Sequence, residues 1–248
     1  MALSPRQQQA FVRSVELVRD KVASFDRYPF NIPAVRHLSA LELHPGVTFL
    51  VGENGSGKST LIEAIAVAMG FNAEGGSQNF RFGTRASHSD LHQALRIVRG
   101  LKRPKRGFFL RAESLFNVAT EIERLGPQVS AGYGDRSLHE QSHGESFLAI
   151  VNNRFHADGF YVLDEPEAAL SPQRQLALLV AIHGLVQARC QFVIATHSPL
   201  LLAYPGAQLY LLGAEGLTQT TYEETEHYSL TRDFLMDPKR YLARLLAD

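Results

Sequence analysis

Short apolar runs alternate with helical patterns through most of this 248-residue chain. Runs that have the length of buried strands lie at residues 47–51, 107–111, 160–163, 191–195 and 208–211. Helical patterns lie at residues 61–68, 114–125 and 145–154, and further helices are expected after Ser171, Ser198 and Asp237, each of which precedes a proline. Strands that alternate with helices predict an α/β fold with a mostly parallel sheet that helices cover on both faces.

The pattern is less regular in the remaining segments. Residues 1–25 show a mixed helical pattern, 28–51 predict short strands interrupted by prolines, 91–99 predict a short helix, and 126–134 predict a glycine-rich loop. We expect a single domain over residues 1–248, with an inserted helical and loop subdomain over about 71–140 and a C-terminal helical extension over 213–248.

A glycine-rich segment, GENGSGKST, follows the strand predicted at residues 47–51 and leads into the next helix. It fits the phosphate-binding loop pattern G-x-x-x-x-G-K-[ST], with Gly52, Gly57, Lys58 and Ser59 in the fixed places. Small residues let backbone N–H groups converge on a polyphosphate, and the following helix points its positive end at the same anion. Lys58 is expected to reach the β- and γ-phosphates, and the Ser59 hydroxyl to bind Mg²⁺.

Composition narrows the class of protein but not its task. Hydrophobic residues make up 45% of the chain, which is enough for a core, so disorder is not expected. Basic and acidic residues are equal in number, 25 each, so no net charge draws the chain to nucleic acid or membrane. The single cysteine excludes an internal disulfide. With no apolar signal segment at the start and no long apolar stretch, a cytoplasmic location is expected.

Two acidic residues, Asp164 and Glu165, end the apolar run at 160–163. A carboxylate at the carboxyl end of a central strand lies near the phosphate loop in this kind of sheet. We expect Asp164 to hold Mg²⁺, directly or through water, and Glu165 to position the water that attacks the γ-phosphate. The alternative is an acidic helix cap next to Pro166.

Two further segments are candidates for phosphate contacts. Ser142 and Gly144 open the helix expected at 145–154, and a helix start of this kind is a second anion site, which one nucleotide in the same subunit does not need. His197 lies just past the strand at 191–195 and is expected to contact the γ-phosphate through one ring nitrogen while a neighbour fixes the other.

The order GENGSGKST, SHGES, YVLDEPE, AALSP, ATHSP resembles ABC-class ATPases over roughly residues 28–212. Within that class it looks most like stand-alone ATPases related to the RecF, overcoming-lysogenization-defect and chromosome-maintenance groups. The resemblance implies a P-loop NTPase fold with a small antiparallel strand region and an inserted helical subdomain. It also implies ATP and Mg²⁺ as ligands, and a head-to-tail homodimer with two ATP molecules between the subunits. In such a dimer one subunit would hold each ATP through Gly52, Asn54, Gly55, Ser56, Gly57, Lys58, Ser59 and Thr60, and the other would close on it through Ser142, Gly144 and Glu145.

The chain also departs from the family pattern. SHGES replaces the common LSGGQ, and no glutamine obviously occupies the place that senses Mg²⁺. Glu113 is the first candidate for that place and for a metal ligand, and Gln78 is a weaker one. Only about 85 residues separate the phosphate loop from SHGES, without heptads, so the long coiled coil of chromosome-maintenance ATPases is missing.

These observations predict an ATP hydrolase in which Glu165, His197 and Lys58 are the catalytic residues. The task could be DNA repair or phage defence, with DNA as a partner of Arg81, Arg85 or the basic turn at 102–106, for which a solvated turn without a partner is the alternative. The alternatives are the energy-coupling subunit of a transporter, which needs a separate membrane partner, and a phosphotransferase. Tyr28 or Phe30 could stack on adenine, although packing in the core is the alternative for each.

Overall fold

The computed structural model describes residues 9–78, 89–134 and 136–247. Its strands are β1 (Val12–Leu17), β2 (Ala40–Glu42), β3 (Val47–Val51), β4 (Leu95–Arg99), β5 (Arg106–Arg111), β6 (Gly159–Asp164), β7 (Gln191–Ala195), β8 (Gln208–Gly213) and β9 (Gly216–Thr220). Its α-helices are α1 (Pro33–Arg36), α2 (Lys58–Ala68), α3 (Leu91–Ala94), α4 (Leu115–Arg124), α5 (Pro127–Ser130), α6 (His143–Arg154), α7 (Pro172–Gln187), α8 (Pro199–Leu202), α9 (Glu226–Met236) and α10 (Pro238–Leu245). Short 3₁₀ helices lie at Arg19–Lys21, Ala131–Tyr133, Leu138–Glu140 and Pro166–Ala169.

A six-stranded sheet in the order β5-β6-β7-β3-β8-β9 forms the centre of the molecule. Its pairs are parallel except for β8 and β9, which pair antiparallel. Neighbouring side chains of β6 alternate between two cores, with Phe160 and Val162 on one face and Tyr161 and Leu163 on the other. Burial on both faces explains why the central strands appear in the sequence as unbroken apolar runs. The predicted α/β fold with a mostly parallel sheet is confirmed.

A second, antiparallel sheet in the order β2-β1-β4 packs over α2 in the first of these cores. Two expectations are wrong here. The helical pattern at residues 1–25 contains strand β1, and the helix expected at 91–99 ends at Ala94, after which β4 pairs with β1. Val12, Val15 and Leu17 are buried in the core, and β-branched residues favour a strand once a partner strand is available. That partner, β4, lies far along the chain, so the local pattern does not reveal it.

The two sheets are joined by Gln191 at the start of β7. Its side-chain amide accepts hydrogen bonds from the backbone of Phe11 and Val12 and donates to the carbonyls of Val12 and His44, at 2.7–3.0 Å. A fully buried amide that makes four bonds of this kind holds β1 at a fixed position beside the main sheet.

Other segments also differ in detail from the expectations. The region at 28–51 contains the short helix α1 besides strands β2 and β3, because Pro33 starts a helix at its first position instead of interrupting a strand. The expected loop at 126–134 contains α5 and a 3₁₀ turn. Helices α9 and α10 follow β9 and have no fully buried residue. No helix among the described residues is long and apolar enough to cross a membrane.

Candidate nucleotide-binding site

The phosphate loop joins β3 to α2, between the central strand and the first core. Gly57 precedes α2 with a positive φ of 96°, and a Cβ there would lie 2.6 Å from the side chain of Ile32. Gly52 also has no room for a side chain, because a Cβ would lie 2.6 Å from the carbonyl of Leu212 on β8. Sterics therefore require glycine at two of the fixed places of the motif.

Lys58, at the first position of α2, turns back into the loop. Its Nζ donates to the carbonyl oxygens of Gly52 at 2.8 Å and Glu53 at 2.9 Å. Burial lowers the pKa of this lysine, against the opposing effects of Glu165 and Asp164. The ammonium group thus lies inside the loop, where phosphate oxygens could replace the two carbonyls as acceptors. The sequence prediction places Asn54 and Gly55 in the same loop, and both are exposed at its tip.

Asp164 ends β6 on the same edge of the sheet as the loop. Its Oδ1 accepts a hydrogen bond from the Ser59 hydroxyl at 3.3 Å. Burial raises the pKa of the Asp164 carboxyl to about 6, although Arg111 opposes that change. Burial thus disfavours the ionised carboxylate, so a cation beside it would stabilise that form.

The pair fits Mg²⁺, which takes oxygen ligands at about 2.0–2.1 Å in octahedral geometry, so adjacent ligand oxygens lie about 3 Å apart. The separation of 3.3 Å between Ser59 Oγ and Asp164 Oδ1 is close to that value. Mg²⁺ bound with a nucleotide uses few protein ligands, and among the described residues no group of three or more His, Cys, Asp or Glu side chains could hold a metal ion. The roles of Ser59, Asp164 and Glu113 as ligands stay predictions.

Arg111, at the end of β5, is a site residue that the sequence patterns did not indicate. The register pairs it with Asp164, and its Nε lies 3.3 Å from Asp164 Oδ2, while its Nη1 donates to Glu63 at 2.8 Å. The Nε atom is buried and forms no aligned hydrogen bond within the described ranges of the chain. The guanidinium group therefore lies beside the Asp164 carboxylate and offsets its charge. An arginine at a strand end matches no motif, and the strand register was the only signal that could have found it.

Glu165 follows Asp164 in the left-handed conformation, with φ 48° and ψ 52°. Its carboxylate is partly exposed, and Oε1 lies 3.7 Å from Nε2 of His197. A left-handed conformation is strained for a glutamate and directs its side chain away from the strand. The structure therefore places Glu165, Asp164 and His197 at one edge of the sheet, as their sequence positions predicted.

His197 is held by Glu167, another residue that sequence reasoning missed. Glu167 Oε1 accepts from the backbone N–H of His197 at 2.5 Å, and its Oε2 accepts from the Thr196 hydroxyl at 2.7 Å. Burial raises the pKa of Glu167, and these hydrogen bonds partly offset the effect. The ring of His197 contacts His227 through Nδ1 at 3.1 Å, whereas its Nε2 is buried and has no hydrogen-bond partner in the described part of the chain.

The SHGES segment begins α6 with a capping box. Ser142 Oγ and backbone N–H both donate to Glu145 Oε2, at 2.8 and 2.9 Å, and Arg174 contacts both side chains. Gly144 packs against the carbonyl of Ala169, 2.9 Å from where a Cβ would lie. The helix start is therefore closed by its own glutamate, and Ser142 is exposed on the surface. Its contact with a second subunit's phosphate stays a prediction.

Of the remaining candidates, Glu113 lines a cavity of about 250 Å³ beside Ser59, Asp164 and Glu165. Arg111 contacts Glu113 at 3.6 Å, and the glutamate side chain is otherwise solvent-exposed. Gln78 donates to the carbonyl of Met69 at 2.8 Å and does not line that cavity. His143 of the same chain does line it, which the dimer hypothesis did not anticipate.

Tyr28 and Phe30 differ in exposure. Tyr28 is 65% exposed and its hydroxyl lies 3.2 Å from the Thr60 hydroxyl, beside the phosphate loop, whereas Phe30 packs against the first core and the ring of Phe25. Tyr28 is thus the better candidate for adenine. Arg81 and Arg85 lie outside the described residues. In the basic turn, Lys105 pairs with Asp158 at 2.8 Å, and Lys102 and Arg103 are exposed.

Comparisons with known proteins agree with this geometry. A family model described as "AAA domain" matches residues 28–123, and one described as "AAA domain, putative AbiEii toxin, Type IV TA system" matches residues 134–203. No curated protein matches the chain. A putative metal-chelate type ABC transporter in an inward-facing conformation is 15% identical, with 89% of this chain and 88% of that chain covered and a TM-score of 0.50.

Two further solved structures match with lower TM-scores. The SMC head domain from Thermotoga maritima is 16% identical over 85% of this chain and 98% of that one, with a TM-score of 0.45. The ADP conformation of an ATP-binding cassette of an ABC transporter is 18% identical over 96% and 99%, with a TM-score of 0.46. The two family models and the ABC transporter structure support the ABC ATPase-like P-loop fold. What these comparisons show is therefore the fold of the chain, a P-loop NTPase fold.

Proposed function

We propose that this chain binds ATP with Mg²⁺ and hydrolyses the β–γ phosphoanhydride, working as a dimer that holds two nucleotides between its subunits. The observation that carries the proposal is the convergence of Lys58, Ser59, Asp164, Glu165 and His197 around one phosphate loop. Three buried polar atoms of this site have no hydrogen-bond partner among the residues that the structure describes: Ser56 Oγ, Arg111 Nε and His197 Nε2. Buried polar atoms are normally paired, so their grouping is the pattern expected where a polar ligand completes the site.

Each residue has a separate task. The loop amides and Lys58 bind the phosphates, and Ser59 and Asp164 hold the cation, which would neutralise charge on the phosphates. Glu165 accepts a proton from the attacking water, since its carboxylate is partly exposed at the mouth of the site. His197 steadies the γ-phosphate with a hydrogen bond from Nε2. Glu167 fixes the backbone of His197, so it acts as a positioning residue.

A matched pair of glutamate variants tests the hydrolase. In Glu165→Gln we expect turnover of Mg²⁺–ATP to fall by about 10²- to 10⁴-fold, the usual contribution of a general base, while nucleotide binding is retained. Glu215→Gln carries the same chemical change in the exposed turn between β8 and β9 and should behave like the wild type. Light scattering on a sizing column should show an ATP-bound dimer of the Glu165→Gln protein. Normal turnover of that variant would show that Glu165 is not the proton acceptor. If the wild type showed no ATP turnover that Lys58→Ala abolishes, the proposed hydrolase activity would be refuted.

A mixing experiment tests whether each nucleotide site is formed by two subunits. Lys58→Ala removes the phosphate contact of one subunit, and Ser142→Phe would block closure by the other. Neither variant alone should turn over ATP, but a mixed dimer contains one complete site. Random pairing then restores about a quarter of the sites in an equal mixture. If Ser142 acts only within its own chain, which the position of His143 on the cavity wall makes a fair alternative, the mixture stays inactive.

We further propose DNA repair or phage defence as the task, supported by the exposed Lys102 and Arg103 of the basic turn. Turnover should then rise with DNA, with an affinity that falls steeply as salt increases. Lys102→Ala combined with Arg103→Ala should reduce that salt dependence. Turnover that ignores DNA at low salt would favour the alternative, an energy-coupling subunit with a separate membrane partner.

A further inference from the structure

The ring of His197 is fixed from the side that faces away from Glu165. His227, in the second position of α9, places its Nε2 3.1 Å from Nδ1 of His197, with ring centroids 5.3 Å apart. Both rings are half-buried. A neutral imidazole has one donor nitrogen and one acceptor nitrogen, so the bond between these two rings links the tautomer of one to that of the other.

The surroundings decide which way this bond runs. Nε2 of His197 is buried and lies 3.7 Å from the carboxylate of Glu165. An N–H there is attracted to the carboxylate, whereas a bare nitrogen lone pair would face negative charge. If Nε2 carries the proton, Nδ1 must accept, and the donor is then Nε2–H of His227.

We propose that His227 is a positioning residue that donates to His197 and keeps its proton on Nε2, directed at the γ-phosphate. This inference rests on the proposed ATPase function and adds a residue from outside the region of family resemblance. The charged groups around the two rings are Lys58, Glu165, Glu167 and Glu226. Burial, as the largest cause, lowers the pKa of both histidines, which agrees with two neutral rings that share one hydrogen bond.

The arrangement also connects the C-terminal helices to the site. Helix α9 begins at Glu226, capped by the Thr225 side chain, which accepts from the backbone of Tyr228 at 3.3 Å. His227 therefore lies in the first turn of a well-defined helix, and the position of that helix sets the position of its ring. Any displacement of α9 would release His197 from its donor. A contact that moves α9 or α10 would therefore change the hydrogen bond from His197 Nε2 to the γ-phosphate.

Three variants separate the hydrogen bond from simple packing. His227→Phe keeps a ring but removes the donor, and we expect kcat to fall by about 10- to 100-fold, as for other residues that orient a functional histidine. The KM for ATP should change much less. His227→Gln places an amide N–H near the former Nε2 and should recover most of kcat. Leu230→Ala, an exposed change on the same helix, should leave kcat unchanged.

A double variant and a spectroscopic measurement make the result decisive. In a His197→Ala background, His227→Phe should have no further effect, because its action passes through His197. Long-range ¹H–¹⁵N NMR spectra should show His197 protonated on Nε2 in the wild type and in His227→Gln, but a mixture of tautomers in His227→Phe. The inference would be overturned if His227→Phe kept the wild-type kcat. It would also be overturned if His227→Phe lowered kcat as much in the His197→Ala background as it does in the wild type. If the wild type did not turn over ATP, the proposed function would be refuted instead. The NMR measurement would still test which nitrogen of His197 carries the proton.

Discussion

Asp164 is expected to destabilise the nucleotide-free protein at neutral pH, so its neutral isostere should be more stable. The carboxyl group is 5% exposed, and burial raises its pKa from the ordinary value of 3.8 to about 6. A carboxyl whose folded pKa is raised contributes stability below its unfolded pKa and loses it as pH rises through the folded value. The difference between the two pKa values corresponds to about 3 kcal/mol at a pH well above 6.

Asp164→Asn removes this cost and keeps the shape of the side chain. The amide oxygen can face Arg111, and the amide N–H₂ can donate to Ser59, so both neighbours keep a partner. Arg111 also retains Glu63 at 2.8 Å. We expect the free energy of unfolding in urea, without nucleotide or Mg²⁺, to be up to about 3 kcal/mol higher for the variant near pH 8, and the gain to fall below about 1 kcal/mol near pH 4.

A second aspartate, Asp158, gives a control in which the Asp→Asn change should lower the free energy of unfolding instead of raising it. Asp158 bonds to Arg189 and Lys105, and these hydrogen bonds lower its pKa well below the ordinary value. Its contribution is present above pH 3.8 and is lost as pH falls, so Asp158→Asn should destabilise near pH 8 and have little effect in acid. When Mg²⁺–ATP is added, the wild type should become more stable than Asp164→Asn, because the wild type keeps the carboxylate proposed to hold the cation. An Asp164→Asn variant less stable than the wild type near pH 8, or a difference that does not change with pH, would refute the reasoning.

Three further substitutions test individual contacts of the site. Arg111→Gln leaves the buried Asp164 and the partly buried Glu63 without their cation, so the free energy of unfolding in urea should fall by about 3–5 kcal/mol, and an unchanged value would show that the ion pairs contribute nothing. Tyr28→Ala should raise the KM for ATP about three- to tenfold with kcat retained, whereas Tyr28→Phe keeps the ring and should behave like the wild type; equal effects would exclude stacking on adenine. Glu167→Gln cannot accept two hydrogen bonds through two oxygens, so kcat should fall at unchanged KM, and a normal kcat would show that the backbone of His197 needs no such support.

Strands β3, β6 and β7 of the central sheet could be predicted from the sequence because they are buried on both faces, whereas β9 is partly exposed and lies in the segment expected to be helical. Each of the three buried strands therefore appears as an apolar run, and the phosphate loop and Asp164 mark the carboxyl ends of two of them. Strand β1 could not be recognised in the same way. Its valines have a spacing that also fits a helix, and its identity depends on pairing with β4, about 80 residues away in the chain.

The same distinction applies to the site. Residues within motifs could be named from the sequence, because the residues that a motif requires for its chemistry lie close together along the chain. Arg111 acts through the register of β5 on β6, and His227 acts through the docking of α9 beside His197. Neither contact follows from spacing along the chain. Glu167 lies two residues after Glu165, but its task depends on its hydrogen bonds to Thr196 and His197, which only the folded chain reveals.

At three places where a ligand group is expected, the site holds a partner from its own chain. Lys58 donates to the loop carbonyls in place of phosphate oxygens, Arg111 neutralises Asp164 in place of a cation, and Glu145 closes the start of α6 in place of a second subunit's phosphate. Each ligand group must displace such a contact, so the observed affinity will be smaller than the sum of the new contacts. Because the Glu145 carboxylate is hydrogen-bonded to both the hydroxyl and the backbone N–H of Ser142, only a group with greater negative charge can compete for that helix start. The γ-phosphate of ATP meets that requirement, whereas ADP ends at its β-phosphate and has no group at that place, which gives the proposed dimer a physical reason to form with ATP and to open after hydrolysis.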